Sequence, residues 1–312
     1  MFHEGELEVQ RRAGVADRAA RVGQANLVDA LPPGFAQFLA DRFFLVVAST
    51  DPEGRAWASV LIGPPGFIRA TDSRHLIVMS EPPSGDPLER SLEAGPAAVG
   101  LLAIDALSRG RIRVNGVARH DPGGGLAIEV AQAFGNCTKY IQRRVPAARL
   151  GDGEGGARRI RSAALDGPQT DLVSTADTFF IATLHPDRGA DASHRGGRPG
   201  FVRVAPDGRS LTFPDYKGNS MFQTLGNLQV DGRAGLLLFD WDRGDTLQLS
   251  GRATIVWDPA TIAVWSGAER VVQFTVEAVQ QHLRALPLRW ELLESHRLNP
   301  PVPGSAVTGS AE

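Results

Sequence analysis

Apolar and polar residues follow one another along this chain in short stretches bounded by glycine, proline and aspartate. Residues 43–50, Phe-Phe-Leu-Val-Val-Ala-Ser-Thr, have the β-branched and aromatic enrichment of a strand, and Asp51-Pro52-Glu53-Gly54 is its turn. Further strands are predicted at 56–62, 67–70, 75–79, 97–104 and 111–120, with a short helix at 86–93 between them. Ahead of these, Val9, Ala13, Ala16, Ala20 and Gln24 recur at helical spacing in a polar, Ala- and Arg-rich stretch, so one or two helices are predicted over 6–26. Pro32-Pro33 closes that stretch, and 34–40 reads as another short helix. Residues 125–133 are apolar and helix-like, 220–229 reads as a short helix, and 260–267 and 276–286 read as a helix or strand extension.

The pattern then repeats. Asp41, Phe43 and Phe44 recur as Asp177, Phe179 and Phe180, and Pro65-Gly66-Phe67-Ile68-Arg69 recurs as Pro199-Gly200-Phe201-Val202-Arg203. Gly100-Leu101-Leu102 returns as Gly235-Leu236-Leu237, Arg109-Gly110 as Arg243-Gly244, and Gly116 with Ala118 as Gly251 with Ala253. Offsets near 135 residues are those of a duplicated domain, whereas a solenoid repeats every few dozen residues. Short strands, one inserted helix and no alternation with long helices argue against a Rossmann sheet. They give a mainly β fold with flanking helices (α+β), built as two small antiparallel barrels in tandem. The expected divisions are a helical segment at 1–34, a first barrel with its connecting helix at 35–150, a linker at 151–168, a second barrel at 169–298 and a disordered tail at 299–312.

Composition narrows the function classes. At 312 residues there is room for two cores, and 42% hydrophobic with 22% charged residues is ordinary for a soluble globular protein. A net charge of -2 gives no reason to expect nucleic acid or an anionic membrane as partner, and Arg158-Arg159-Ile160-Arg161 reads as a solvated linker. Cys137 is the only cysteine, so neither an internal disulfide nor a cysteine-based zinc site is available. No His/Asp/Glu set has metal-ligand spacing, and no metal is expected. The N-terminus lacks a signal-peptide layout and no apolar run reaches the roughly 18 to 20 residues of a membrane span, so a cytoplasmic protein is expected.

The polar cluster of the second copy carries the candidate chemistry. Ser193-His194-Arg195-Gly196-Gly197 is followed after the next strand by Phe213-Pro214-Asp215-Tyr216-Lys217-Gly218-Asn219-Ser220, with Thr224 and Asn227 beyond. Cationic donors, hydroxyls and amides separated by glycines are what a phosphate requires, and the first turn of a helix after Ser220 would add free N–H groups. At the aligned places the first copy has Ser59-Val60-Leu61-Ile62 and Met79-Ser80-Glu81-Pro82-Pro83-Ser84, so the donors are expected in the second copy alone.

These motifs, with Gly135-Asn136-Cys137-Thr138-Lys139-Tyr140-Ile141-Gln142, resemble those of the pyridoxamine 5'-phosphate oxidase-like, FMN-binding split-barrel superfamily, and more closely its tandem-barrel members. The resemblance implies that Ser193, His194, Arg195 and Gly196 line an FMN, with Arg195 on its phosphate or ribityl chain. It implies Phe213, Pro214 and Asp215 along the isoalloxazine edge, Lys217, Asn219 and Ser220 on the phosphate, Asn227 supporting that loop and Trp241 near the ring. Lys139 and Tyr140 from the first half would complete the site. His194 is either a donor or acid toward the flavin or a strand histidine bonded to a carbonyl, and Cys137 is either redox-active or a small buried hydrophobe.

Thr138 stands where the motif usually has proline, and the reductase and iron–sulfur modules of some relatives are not in this sequence. The implied activity is therefore an FMN-dependent oxidoreductase acting on a small molecule, with NAD(P)H or oxygen as diffusible partner. A non-catalytic flavin carrier, or a barrel binding haem or a deazaflavin, are the competing readings. Homodimerisation is implied by the superfamily unless the two barrels of one chain satisfy the same interface.

Overall fold

The computed structural model describes residues 2–149 and 158–302. Two helices open the chain, α1 (Glu4–Arg12) and α2 (Ala16–Asn26). The first repeat follows as α3 (Phe35–Ala40), β1 (Phe44–Thr50), β2 (Ala56–Ile62), β3 (Ile68–Ala70), β4 (His75–Val78), α4 (Pro87–Glu93), β5 (Ala97–Asp105), β6 (Gly110–His120) and β7 (Leu126–Gly135). Strands β8 (Arg143–Arg149) and β9 (Arg159–Ser162) connect it to the second repeat: α5 (Gly167–Thr175), β10 (Thr178–His185), β11 (Gly189–Gly196), β12 (Arg203–Val204), β13 (Ser210–Tyr216), α6 (Gln223–Val230), β14 (Arg233–Phe239), β15 (Thr246–Val256), α7 (Pro259–Ala263) and β16 (Ala268–His282). Strand β17 (Leu288–Glu294) pairs with β8.

The duplication is visible in the sheets. The first is ordered β2-β1-β5-β6-β7-β4-β3 and the second β11-β10-β14-β15-β16-β13-β12, the same path strand for strand, and neither closes. Each sheet wraps its own core, one around Leu45, Val47 and Phe67, the other around Phe179, Ile181 and Phe201. The alternate faces of β1 and β10 point outward and meet each other. Phe44, Val46 and Ala48 pack with Phe180, Ala182 and Leu184 in a third core between the barrels.

The recurring glycines mark close backbone approaches. A Cβ on Gly100 would stand 2.5 Å from Cα of Asp191 and 2.7 Å from the Ala190 carbonyl; one on Gly235 would stand 2.6 Å from Cα of Trp57 and 2.7 Å from the Ala56 carbonyl. The two contacts are related by the internal pseudo-symmetry, and each seats one barrel on the other. Because the obstacle is backbone, Gly235→Val is expected to destabilise by about 3 kcal/mol through overpacking. Gly135→Ala, which meets nothing within 4 Å, is expected to stay within about 0.5 kcal/mol. Equal urea midpoints for the two variants would contradict this seating of the barrels.

Three expectations change. Residues 125–133 form β7 and not a helix: Leu126, Ile128 and Val130 are buried while Ala127, Glu129 and Ala131 face the other way, a period of two that the alanines disguise. The stretch 158–162, expected as solvated linker, supplies β9, which adds to β16. The glycine-rich part at 151–156 lies outside the described residues, as does the tail beyond Val302, but Asn299, assigned to that tail, is buried and bonded to Gln142. Among the described residues no helix is long and apolar enough to cross a membrane.

Candidate functional site

Antiparallel pairing of β11 with β10 places Ser193 and Arg195 on one face of the strand and His194 on the other, toward the seam between barrels. Strand β13 ends in Pro214-Asp215-Tyr216 beside it, and the loop 217–222 leads into α6. From the first half, β6 presents Arg111 and Arg113, two residues apart and so on one face, and the chain leaving β7 brings Asn136, Cys137, Lys139 and Tyr140. Together they line a cleft that opens to solvent on one side.

The charges in this cleft are unevenly matched. Arg113 pairs with the buried Asp191 across the seam and stacks 4.7 Å from the Phe134 ring centroid. Arg195 Nη1 donates to Asp215 Oδ1 at 2.8 Å, while Asp215 Oδ2 accepts from Arg270 Nε and Nη2 at 2.9 and 2.8 Å. Arg111 has no carboxylate partner among the described residues; its Nη1 lies 3.3 Å from His194 Nδ1. Burial, then Arg113 and Arg195, pull the Arg111 guanidinium down to about 9, so it stays charged near neutrality. Burial, then Arg111 and Arg195, hold His194 well below the ordinary imidazole range. His194 is therefore neutral, accepts at Nδ1 from Arg111 and carries its proton on Nε2. It is no acid near pH 7.

The Nε atoms of Arg111, Arg113 and Arg195 and Nε2 of His194 are buried without a hydrogen-bond partner among the described residues. Buried N–H donors without partners are costly, and the four residues that carry these line the cleft. The walls are shaped to match. Gly196 has no room for a side chain because the Tyr140 carbonyl would stand 2.0 Å from its Cβ. Tyr140 Oη donates to the Lys217 carbonyl at 3.1 Å, joining the two halves across the mouth. Both Tyr140 and Tyr216, with ring centroids 5.3 Å apart, have phenols pushed up to about 12 by burial, so they remain O–H donors.

Ten of the residues expected from the sequence meet here: Ser193, His194, Arg195, Gly196, Pro214, Asp215, Asn219, Ser220, Lys139 and Tyr140. Their roles shift in part, since Pro214 has no N–H to offer a flavin edge and the Asp215 carboxylate is committed to two arginines. Four others lie elsewhere. Phe213 is buried in the second barrel's core, and the Lys217 side chain is exposed outside the cleft, only its carbonyl taking part. Asn227 donates to Thr183 Oγ1 at 3.0 Å and faces a separate cavity, and Trp241 packs against Phe239 and Trp290 under Arg144.

Arg111 and Arg113 are the residues that sequence reasoning missed. Their strand partners, Ile104 and Leu102, match Phe239 and Leu237 of the second repeat, which pair with Thr246 and Gln248. The cations are thus the first repeat's own, and the view of that repeat as lacking donors is corrected. Two arginines at i and i+2 of a core strand were the available signal. At the pseudo-equivalent place in the first repeat a closed polar network stands instead. Asp86 accepts from Ser59 Oγ, the Leu88 amide and Gln248 Nε2, and burial pushes its carboxyl up to about 6.

His3, Glu4 and His185 also bring potential metal-ligand atoms within 4.8 Å of one another. The Nδ1 lone pairs accept from the Gly5 and Asp187 amides, so each Nε2 is the protonated nitrogen, and that of His185 is bonded to Glu4. The cluster pins α1 to β10.

Two open barrels with one strand order, packed on each other with a polar cleft at their seam, define a tandem split barrel. The chain belongs to the pyridoxamine 5'-phosphate oxidase family, whose sequence pattern matches residues 31–149 and again 167–288. Among solved structures it is similar to a protein related to general stress protein 26, of the pyridoxinephosphate oxidase family, from Clostridium acetobutylicum, at 15% identity over 40% of this chain and 92% of that one with TM-score 0.30. It is similar also to the FAD binding protein from Mycobacterium smegmatis, at 15% identity over 39% and 98% with TM-score 0.28. A third is an F420 reductase, at 18% identity over 34% and 90% with TM-score 0.26. No curated protein matches the chain.

Proposed function

We propose that this protein is a flavoprotein that binds FMN in the seam cleft and acts as an oxidoreductase on a small molecule by hydride or electron transfer. One observation carries the reading: Arg111 and Arg113 from the first half and His194 and Arg195 from the second, each with a buried N–H that has no partner among the described residues, line one cleft. A phosphate monoester, doubly negative and rich in acceptor oxygens, answers that demand. Arg111 and Arg195 would hold it, with Asn219, Ser220 and the first turn of α6 beside them. Ser193 and His194 Nε2–H are left for the ribityl chain or ring.

When bound, the flavin supplies the redox chemistry, and the protein binds, orients and shields it. Arg111 and the two phenols titrate above neutrality and His194 below it, so these four keep their protonation states near pH 7. NAD(P)H is the reductant, or oxygen the oxidant, that this reading expects from solution. A haem ligand at His194 is disfavoured because Nε2 carries the proton when Nδ1 accepts from Arg111.

The test is a visible absorption spectrum of the purified protein, mass identification of the chromophore released on denaturation, and titration of the stripped protein with FMN. A flavin spectrum, the FMN mass and saturable quenching are expected. A haem band, a deazaflavin mass or no binding would refute the assignment. Bound FMN that neither NAD(P)H nor oxygen turns over would make the protein a carrier.

A further inference from the structure

We infer that Gln10, on the N-terminal helix and outside the cleft, is a positioning residue for the cofactor loop; this rests on the flavin-site reading above. The loop 219–222 has an unusual backbone. Ser220 and Phe222 both adopt left-handed conformations, φ +68° and +64°, which side-chain-bearing residues take only when their surroundings hold them there. Between them, the Met221 amide donates to Asn219 Oδ1 at 3.1 Å, and Met221 is not among the residues that line the cleft. The Met221 carbonyl accepts from Gln10 Nε2 at 3.0 Å, and Gln10 is 1% exposed. The bond fixes the buried middle of a loop whose neighbouring residues Ser220, Phe222 and Gln223 line the cleft.

The helix is anchored well enough to serve as the holder. His3 and Glu6 form a capping box at its start, and Glu4 bonds His185 of β10. It crosses α6 so closely that a Cβ on Gly5 would lie 2.1 Å from the Gly226 carbonyl, and one on Gly226 would lie 2.7 Å from Cα of Glu6. Helix α1 is therefore fixed against α6, and Gln10 ties Met221 of the adjoining loop to it.

The test compares Gln10→Ala and Gln10→Glu, whose carboxylate cannot donate, with Val9→Ala, which removes core packing from the same helix and keeps the Gln10 bond. FMN affinity is read by fluorescence quenching, and amide hydrogen exchange of 219–223 is read in the ligand-free protein. Both Gln10 variants are expected to bind FMN roughly 3- to 10-fold more weakly and to exchange faster in that loop. Val9→Ala is expected to lower Tm with affinity and loop exchange unchanged. Gln10 variants that merely lower Tm, as Val9→Ala does, would overturn the inference. Should the wild-type protein fail to bind FMN, the flavin reading falls, and loop exchange unaltered by Gln10→Ala would still overturn this one.

Discussion

Replacing Arg111 with methionine is expected to weaken FMN binding roughly 10- to 150-fold while leaving the ligand-free protein as stable as before or more so. The loss corresponds to about 1.5–3 kcal/mol for a hydrogen bond to a charged group, at 1.4 kcal/mol per tenfold change. The opposite sign in the ligand-free state follows from the partners. Arg113 and Arg195 each have a carboxylate, whereas Arg111 faces only a neutral imidazole and two other cations. On the proposed reading, the cost of this buried charge in the ligand-free protein is offset when a phosphate binds. Titration and thermal melts of the same preparation measure both halves of the claim. Lys217→Ala is the control, expected to leave affinity unchanged because the loop uses the carbonyl of Lys217 and not its ammonium group. An Arg111 variant that binds FMN normally, or that melts far below wild type, would remove Arg111 from the phosphate.

Asp215→Ala is expected to cost about 3–5 kcal/mol of stability, the penalty for leaving buried charges unpaired. Asp215 is 4% exposed, and its two oxygens are divided between Arg195 and Arg270. Arg270 in turn lies 4.7 Å from the ring centroid of Phe222, so one carboxylate ties β13, β16 and the loop 217–222 to Arg195, which lines the cleft. Without it Arg195 has no fixed direction, and FMN affinity should fall as well. Added FMN should recover part of the lost melting temperature, since its phosphate can pair with Arg195. A melting temperature within a degree of wild type would mean that the Asp215 node does not organise the site.

Much of the architecture was legible before any coordinates. The paired anchors Gly100 and Gly235 proved to be points where backbone meets backbone. Gly116 and Gly251 each sit at a register shift where a Cβ would strike the Glu129 or Thr275 carbonyl. Such glycines recur because steric demands recur with the fold. The errors have local causes. Alanines at 127, 131 and 133 gave β7 the composition of a helix, and only its place between β6 and β4 made the two-residue period decisive. Lys217, Asn227 and Trp241 were placed at the site by the family resemblance, but a loop carbonyl, an inward-facing helix side and an aromatic cluster took them elsewhere.

By itself the sequence determined the duplication, most of the strands of each repeat, the recurring glycines and the second repeat's share of the donors. Each of these depends on interactions within a strand, a turn or a single repeat. Only the tertiary structure decided that Arg111, 83 residues from His194, would stand beside it. The cleft lies on the seam between two barrels, and hydrophobic packing of β1 on β10 sets that seam. Which charges face each other across it depends on the docking of the two sheets, which neither repeat specifies alone.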